Sequence, residues 1–242
     1  MSGWEIFWDV VPYVTLAIVI IGTWWRYRYD KFGWTTRSSQ LYESRLLRIG
    51  SPLFHFGILV VIVGHVIGLV IPESWTRMVM SDHVYHLQAG ILGGIAGVAT
   101  LTGIALLVYR RRTKGPVFLA TTVNDKMMYL VLVLAIIAGL SCTLIGITPE
   151  GTEHDYRETV SPWFRSIWVF QPRGDLMVQA PLYFHIHVMI GLVLFCMWPF
   201  TRLVHVFSAP IGYLFRPYIV YRSREVSAGK ELIGSHPPRR GW

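Results

Sequence analysis

Apolar residues occur in long blocks separated by polar and charged segments, and this pattern predicts membrane-spanning helices. A helix needs roughly 20 residues to cross about 30 Å of hydrocarbon, because it rises about 1.5 Å per residue. The blocks that reach this length are residues 8–25, 52–71, 88–109, 128–147 and 183–205. We therefore predict an all-α membrane protein in which residues 1–205 form a five-helix transmembrane domain and residues 206–242 form a basic tail.

The composition supports a membrane location, and the distribution of charge orients the helices. Charged residues make up 15% of the chain, and hydrophobic residues make up 53%, whereas soluble proteins carry about 25% charged residues. All but four of the 22 basic residues flank one end of the predicted bundle. The exceptions are Arg77, Arg157, Arg165 and Arg173. The positive-inside rule then predicts an N-terminus outside and a C-terminus in the cytoplasm. The basic tail either binds lipid head groups or docks a cytoplasmic partner.

Four histidines lie inside the apolar blocks, His55 and His65 in the second and His187 and His205 in the fifth. Ionisable side chains are costly within a membrane and mark functional sites. Because the two blocks run in opposite directions, depth pairs His65 with His187 near the outer surface and His55 with His205 near the inner surface. Paired imidazoles at two depths predict a dihaem bundle, and complete axial ligation of each iron favours electron transfer over oxygen chemistry.

The spacing of these histidines gives two further expectations. Ten residues of helix span about 15 Å and eighteen span about 27 Å, so helix tilt has to absorb part of the difference. Eighteen residues also return to the same helical face, which favours His187 over His185 as a ligand. We expect His185 at an interface, at the propionate side or at the quinone side. Gly57, Gly64, Gly68 and Gly191 either admit a flat cofactor or serve helix packing.

Other residues complete the predicted haem environment. Arg45, Arg48 and Arg202 lie toward the inner surface, where they either pair with haem propionates or act as positive-inside anchors. The sequence contains no C-x-x-C-H motif, so haem is expected without covalent attachment. In the long outer segment, Trp163, Phe164, Ile167 and Trp168 share a helical face. This pattern predicts a short helix on the outer membrane surface or a solvated loop with aromatic anchors.

The histidine segments also carry a family resemblance. The stretches Phe54–Leu59 and Gly64–Gly68 resemble the first haem-binding span of the respiratory nitrate reductase gamma subunit. The pair Ile186–His187 with Gly191, and the run Pro199–His205, resemble its last span. The resemblance covers roughly residues 5–222 and implies a quinol-oxidising cytochrome b in the inner (cytoplasmic) membrane. It implies two b haems, with axial ligands His65 and His187 at the outer haem and His55 and His205 at the inner haem.

The resemblance further implies a quinol substrate, menaquinol or ubiquinol, and two partners, an iron–sulfur subunit and a molybdenum-containing catalytic subunit. The family's quinol site lies near the outer haem and often includes a lysine at the start of the third span. Here Tyr85 falls about where that lysine would lie. We expect Gly64, His65, Tyr85 and His86 at the quinol site, with Tyr85, His86 or Asp82 in the lysine's role. Alternatively, these are residues of an ordinary polar helix start.

The resulting expectation is that quinol is oxidised outside and that its electrons reach an iron–sulfur subunit inside. Three alternatives remain open. A related cytochrome b could serve a sulfur-cycle or heterodisulfide-reductase-like complex. A histidine-bearing proton or metal transporter would bind no haem. A membrane anchor would hold haem for structure alone.

Overall fold

The structure, a computed structural model, describes residues 2–30, 34, 39–148, 154–208 and 215. In these ranges the regular secondary structure is helical, without strands. Five segments are long and apolar enough to cross a membrane, which confirms the predicted number. They are α1 (Gly3–Tyr29), α2 (Arg45–His65) with a π-helical turn (Val66–Val70), α4 (Asp82–Thr113), α6 (Val123–Gly146) and α9 (Leu182–Met197) with a 3-10 turn (Trp198–Phe200). The predicted basic tail, residues 206–242, lies outside the described part of the chain except for residues 206–208 and 215.

Short helices connect the five spans, and polar side chains cap helix ends. The connecting helices are α3 (Glu73–Arg77), α5 (Gly115–Leu119), α7 (Val160–Trp168) and α8 (Gly174–Val178). The start of α6 is fixed by a capping box, in which the Thr122 hydroxyl accepts from the Asp125 amide at 3.1 Å and the Asp125 carboxylate accepts from the Thr122 amide at 3.0 Å. Reciprocal bonds of this kind satisfy amides that the first helical turn leaves unpaired. Polar caps therefore extend the helices beyond their apolar blocks.

Close packing of α2 against α4 depends on glycine. A Cβ added at Gly57 would lie 2.5 Å from the Thr100 hydroxyl, and one at Gly103 would overlap the backbone of Phe54. Small residues let membrane helices approach until their backbones touch. Of the two roles expected for Gly57, the structure assigns it helix packing.

The end of the bundle at which α7 lies has its own core. Trp8 of α1 is fully buried beside Trp163 and Met177. The Trp163 indole donates to the Trp8 carbonyl at 3.1 Å, and the two rings meet edge to face with centroids 5.6 Å apart. The helix predicted in this segment is present. Trp163 and Ile167 of its predicted apolar face are buried in the protein, whereas Trp168 is 58% exposed.

The fifth span is broken, and the prediction of one straight helix over residues 183–205 is wrong. Helix α9 ends at Met197, the 3-10 turn follows, and Thr201 adopts an extended conformation with φ −115° and ψ 180°. A second 3-10 turn, Arg202–Ser208, carries His205. Pro199 provides a cause, because proline lacks the amide that a continuing helix would use. The spacing of about 27 Å and the shared helical phase therefore do not apply to His187 and His205.

Candidate functional site

Two histidine pairs lie between α2 and the fifth span. The ring centroids of His65 and His187 are 6.0 Å apart with planes inclined at 44°. Those of His55 and His205 are 6.1 Å apart with planes inclined at 75°. Two imidazoles bound on opposite sides of one metal ion, each through a bond of about 2 Å, have centroids about 6 Å apart. The structure thus brings together the two pairs that depth predicted, at a spacing that suits one iron per pair.

Hydrogen bonds at the ring Nδ1 atoms orient three of these histidines. Nδ1 lies 2.7 Å from the Ser51 carbonyl in His55, 2.8 Å from the Val61 carbonyl in His65, and 2.6 Å from the Arg202 carbonyl in His205. A carbonyl oxygen only accepts, so each Nδ1 carries the proton. The Nε2 lone pair then remains available to a metal, and the bond fixes the ring orientation.

His187 is held by packing against α6. Its Nδ1 is buried, and the ring approaches the backbone of Ala135 in α6. A Cβ added at Gly139 of α6 would lie 2.8 Å from its Cε1 atom. Gly139 therefore leaves the space that the His187 ring occupies on the side facing α6. The sequence pattern gave no reason to assign Gly139 this role.

The glycines beside the outer pair differ in what they face. No atom lies within 4 Å of a Cβ added at Gly64 or at Gly191, whereas a Cβ at Gly68 would lie 2.6 Å from the Tyr156 hydroxyl. Gly64 precedes His65, and Gly191 follows His187 by one helical turn. Open space at these two positions suits a flat cofactor, and Gly68 serves packing.

His185 takes part in the interface between α9 and α1. Its Nε2 lies 3.0 Å from the Ala180 carbonyl, and its ring meets Trp8 edge to face at 5.2 Å. Because that nitrogen donates to a carbonyl, it is unavailable to a metal in this arrangement. Of the roles expected for His185, the structure supports the interface.

The segment that leads from α9 to His205, residues 198–205, is held by polar side chains from α1 and α6. Arg26 donates to the carbonyls of Pro199 at 2.7 Å and Thr201 at 3.0 Å. Asn124 donates to the Phe200 carbonyl at 2.7 Å. Asp125 accepts two bonds from Arg202, at 2.7 and 3.1 Å. We refer to Arg26, Asn124, Asp125 and Arg202 together as the turn clamp.

The three arginines expected near the propionates have different environments. Arg45 and Arg48 lie at the start of α2 with exposed side chains. The guanidinium of Arg202 is engaged by Asp125. Among these three, Arg202 is directly linked to a histidine of the inner pair, because its carbonyl accepts from His205.

A polar cluster beside α3 and the start of α4 has Arg157 at its centre. The Arg157 side chain is 3% exposed and contacts the carboxylates of Asp155 at 2.7 Å, Asp82 at 2.9 Å and Glu73 at 3.7 Å. Its guanidinium also lies 4.3 Å from the centroid of the Tyr85 ring. A buried cation of this kind needs such partners, because an unpaired charge is costly to bury.

Two residues expected at the quinol site, Tyr85 and His86, belong to this cluster. The Tyr85 hydroxyl lies 2.9 Å from that of Tyr156, whose ring in turn contacts Phe184 of α9. The Nε2 of His86 lies 3.2 Å from Arg157 Nη2 and 3.3 Å from Asp155 Oδ2. Neither Tyr156 nor Arg157 was predicted at this site from the sequence. The one indication in the sequence was that Arg157 lies among acidic residues, at the opposite end of the bundle from most basic residues.

Electrostatics in the outer segment follow from these contacts. Burial alone would raise the pKa of Asp155, but hydrogen bonds from Arg157 outweigh it and hold that pKa below the usual carboxyl value. Burial raises the pKa of Tyr156, and the neighbouring Tyr85 raises it further. The first effect keeps Asp155 ionised, and the second keeps the Tyr156 phenol protonated at neutral pH.

Comparisons with known proteins agree on one family. The sequence model described as "Nitrate reductase gamma subunit" matches residues 4–224. The chain is 45% identical over 225 residues to the nitrate reductase gamma chain of Bacillus subtilis, covering 93% of this chain and 100% of that protein. It is 36% identical over 220 residues to the respiratory nitrate reductase 2 gamma chain of Escherichia coli, covering 90% and 96%.

A higher identity is found to part of a longer protein. The chain is 71% identical over 239 residues to the nitrate reductase-like protein NarX of Mycobacterium tuberculosis, covering 98% of this chain. It spans only 36% of the length of that relative.

Proposed function

The chain belongs to the nitrate reductase gamma subunit family, and from that premise we propose that it is a dihaem cytochrome b. In this proposal it oxidises quinol near the outer surface and delivers electrons to an iron–sulfur partner at the inner surface. The molybdenum-containing partner that reduces nitrate lies beyond that subunit. The protein is then the quinol-oxidising part of a respiratory complex in the inner (cytoplasmic) membrane.

The observation that carries the proposal is the repeated geometry of the histidine pairs. Centroid distances of 6.0 and 6.1 Å recur at two positions along α2, ten residues apart. In the proposal, His65 and His187 hold the outer haem, and His55 and His205 hold the inner haem. When bound, the two haems supply one-electron carriers at two depths of the bilayer. An electron that crosses the full membrane field changes energy by about 2.3 kcal/mol per 100 mV.

Residues around Arg157 are suited to bind quinol and to accept its protons. We assign quinol contact to Gly64, His65, Tyr85 and His86. Gly64 leaves open space beside His65, and the phenol of Tyr85 can exchange hydrogen bonds with a quinol hydroxyl. Tyr156 orients that phenol through the 2.9 Å contact between the two hydroxyls.

His86 can hold a proton in this setting because of its two neighbours. When the imidazole is neutral, its Nε2 accepts from the Arg157 guanidinium; when it is protonated, the same nitrogen pairs with the Asp155 carboxylate. A group with a suitable partner for each protonation state can serve as a proton acceptor. Asp82 binds Arg157 at 2.9 Å and so helps to hold the cation that faces His86.

The remaining assignments follow from charge. The basic ends of the spans orient the N-terminus outside and the C-terminus inside. Arg45 and Arg48 have exposed side chains at the inner end of α2, where propionates or lipid head groups are their proposed partners. The basic tail from residue 206 is assigned to docking of the iron–sulfur and catalytic subunits.

A redox-resolved absorption spectrum with haem quantification tests the proposal. Two b haems per chain, both reduced by a quinol analogue, are expected in the purified complex. One haem or none would overturn the assignment of the four ligands. A protein without Soret absorption would instead favour the transporter, and haems that quinol fails to reduce would favour the structural anchor. The acceptor is tested by co-purification, because a different catalytic partner would indicate a related complex.

A further inference from the structure

The chain leaves regular helical geometry just before it reaches His205. Carbonyls at the end of a helix lose their usual partners, and 3-10 turns have poorer hydrogen-bond geometry than α-helices. The turn that bears His205 therefore has little intrinsic rigidity. A residue proposed to ligate iron needs a defined ring position, so something beyond the turn has to supply it.

Side chains from two other spans take over the unpaired carbonyls. Arg26 of α1 binds those of Pro199 and Thr201, and Asn124 of α6 binds that of Phe200. The carbonyls of three consecutive residues, Pro199, Phe200 and Thr201, thus each accept a hydrogen bond from a side chain of α1 or α6. Hydrogen bonds from a charged donor such as Arg26 stabilise more than bonds between neutral groups.

An ion pair fixes the residue that orients the His205 ring. Asp125 is 8% exposed and accepts from both Nε and Nη2 of Arg202. The carboxylate cannot easily move, because the same Asp125 forms the capping box with Thr122. The Arg202 carbonyl in turn accepts the Nδ1 proton of His205 at 2.6 Å. A continuous path therefore runs from the first turn of α6 to the imidazole.

We propose that the turn clamp positions His205 and thereby sets the ligand geometry of the inner haem. Asp125, Arg26 and Asn124 act through the backbone of the turn and are positioning residues, since none of them contacts the ring. The outer pair lies on regular helices and is independent of the clamp. This inference rests on the proposed function, because it requires an inner haem.

The principal test is Asp125→Asn in the full chain within the membrane complex. Asparagine preserves the shape of the side chain but removes the charge and one acceptor of the paired bonds. The measurements are haem content, redox titration resolved for the two haems, and electron paramagnetic resonance of the ferric state, which reports ligand-plane geometry. We expect both haems to be retained, with a displaced midpoint potential and altered resonance for the inner haem alone. Asp125→Glu should restore part of the wild-type signal.

A matched control is available at the same end of the bundle. Arg110 is 1% exposed and donates to Glu43 at 2.6 Å, so Arg110→Gln also breaks a buried ion pair. Arg110 has no contact with the turn that bears His205 among its described hydrogen bonds. We expect unchanged potentials for both haems in Arg110→Gln.

The outcomes separate the inference from the proposed function. Asp125→Asn with wild-type inner-haem spectra, or with equal changes at both haems, would overturn the role of the clamp. If Asp125→Asn fails to accumulate, Asn124→Ala removes a single bond to the Phe200 carbonyl and should give a smaller change of the same kind. An unaltered inner haem in that variant would also refute the clamp. A wild-type protein without two haems would refute the proposed function instead.

Discussion

The two histidine pairs have nearly equal separations but are built by different means. Both members of the outer pair lie on regular helices, His65 at the end of α2 and His187 in the second turn of α9. In the inner pair, His55 lies within α2 and His205 lies on a turn outside the helix. In the outer pair, the space left by Gly139 sets the position of the His187 ring. In the inner pair, charged and polar side-chain contacts hold the segment that carries His205. The two sites should therefore respond to different kinds of substitution.

The polar surroundings of the two sites differ as well. Near the outer pair, Arg157 gathers three carboxylates around Tyr85 and His86, the residues that the proposal assigns to quinol contact. Near the inner pair, Asp125 and Arg202 form a closed ion pair whose charges satisfy each other. In the proposed function, this difference corresponds to proton exchange at the outer site and a fixed ligand at the inner site.

Removal of one ligand from each pair gives the largest expected contrast. His65→Ala should eliminate the outer haem and abolish quinol oxidation. His205→Ala should eliminate the inner haem while the outer haem remains reducible by a quinol analogue. Haem quantification and quinol-reduced spectra of the two variants provide the measurement. Retention of both haems in His65→Ala would contradict the pairing.

Loss of the central cation should destabilise only the outer end. Arg157→Gln leaves Asp155, Asp82 and Glu73 without their shared partner, and breaking a buried pair costs roughly 3 kcal/mol. Thermal unfolding in detergent should show a clear decrease in Tm, with the inner haem potential unchanged. Arg173→Gln is the control, since its ion pair with Asp175 is exposed and should contribute little. Equal Tm values for the two variants would contradict a structural role for Arg157.

A single methyl group should distinguish the outer site from the inner one. In Gly139→Ala the new Cβ would lie 2.8 Å from His187, so the ring has to shift. We expect a displaced midpoint potential of the outer haem and an unaltered inner haem. Gly146→Ala on the same helix meets no atom within 4 Å and serves as the control. A change at the inner haem alone would reverse the proposed assignment of packing to the outer pair.

The smallest expected effect is a pH dependence at the outer cluster. Arg157 holds the pKa of Asp155 below the usual carboxyl value of about 3.9. A lowered pKa in the folded state stabilises the protein above the unfolded-state pKa, and this contribution disappears as pH falls through the folded-state value. The difference in Tm between wild type and Asp155→Asn should thus diminish as the pH falls below about 4. A difference that grows below about pH 4 would contradict this sign.

The sequence predicted the number of spans because composition alone decides which segments enter a bilayer. It also paired the histidines by depth, and the structure brings those pairs together. The straight fifth span was wrong, although Pro199 lies six residues before His205 and was a visible signal. The prediction extended one helical period through Pro199, although proline lacks the backbone amide that a continuing helix needs.

The polar assemblies were not predictable from local patterns. Arg157 meets Asp82 across 75 positions and Arg202 meets Asp125 across 77. Such contacts depend on how the spans are arranged, which neither hydropathy nor spacing specifies. Gly139 was missed for the same reason, since its importance lies in a ring from another helix.

The break at Thr201 also separates the two sites mechanically. Helix α9 has 16 residues and packs against α1 and α6, so its own helical contacts keep His187 in place. The segment after the break is joined to α1 and α6 by the side-chain bonds of the turn clamp. A shift of that segment should therefore displace the inner ligand and leave the outer one in register. Such a shift would change the separation of the two electron carriers.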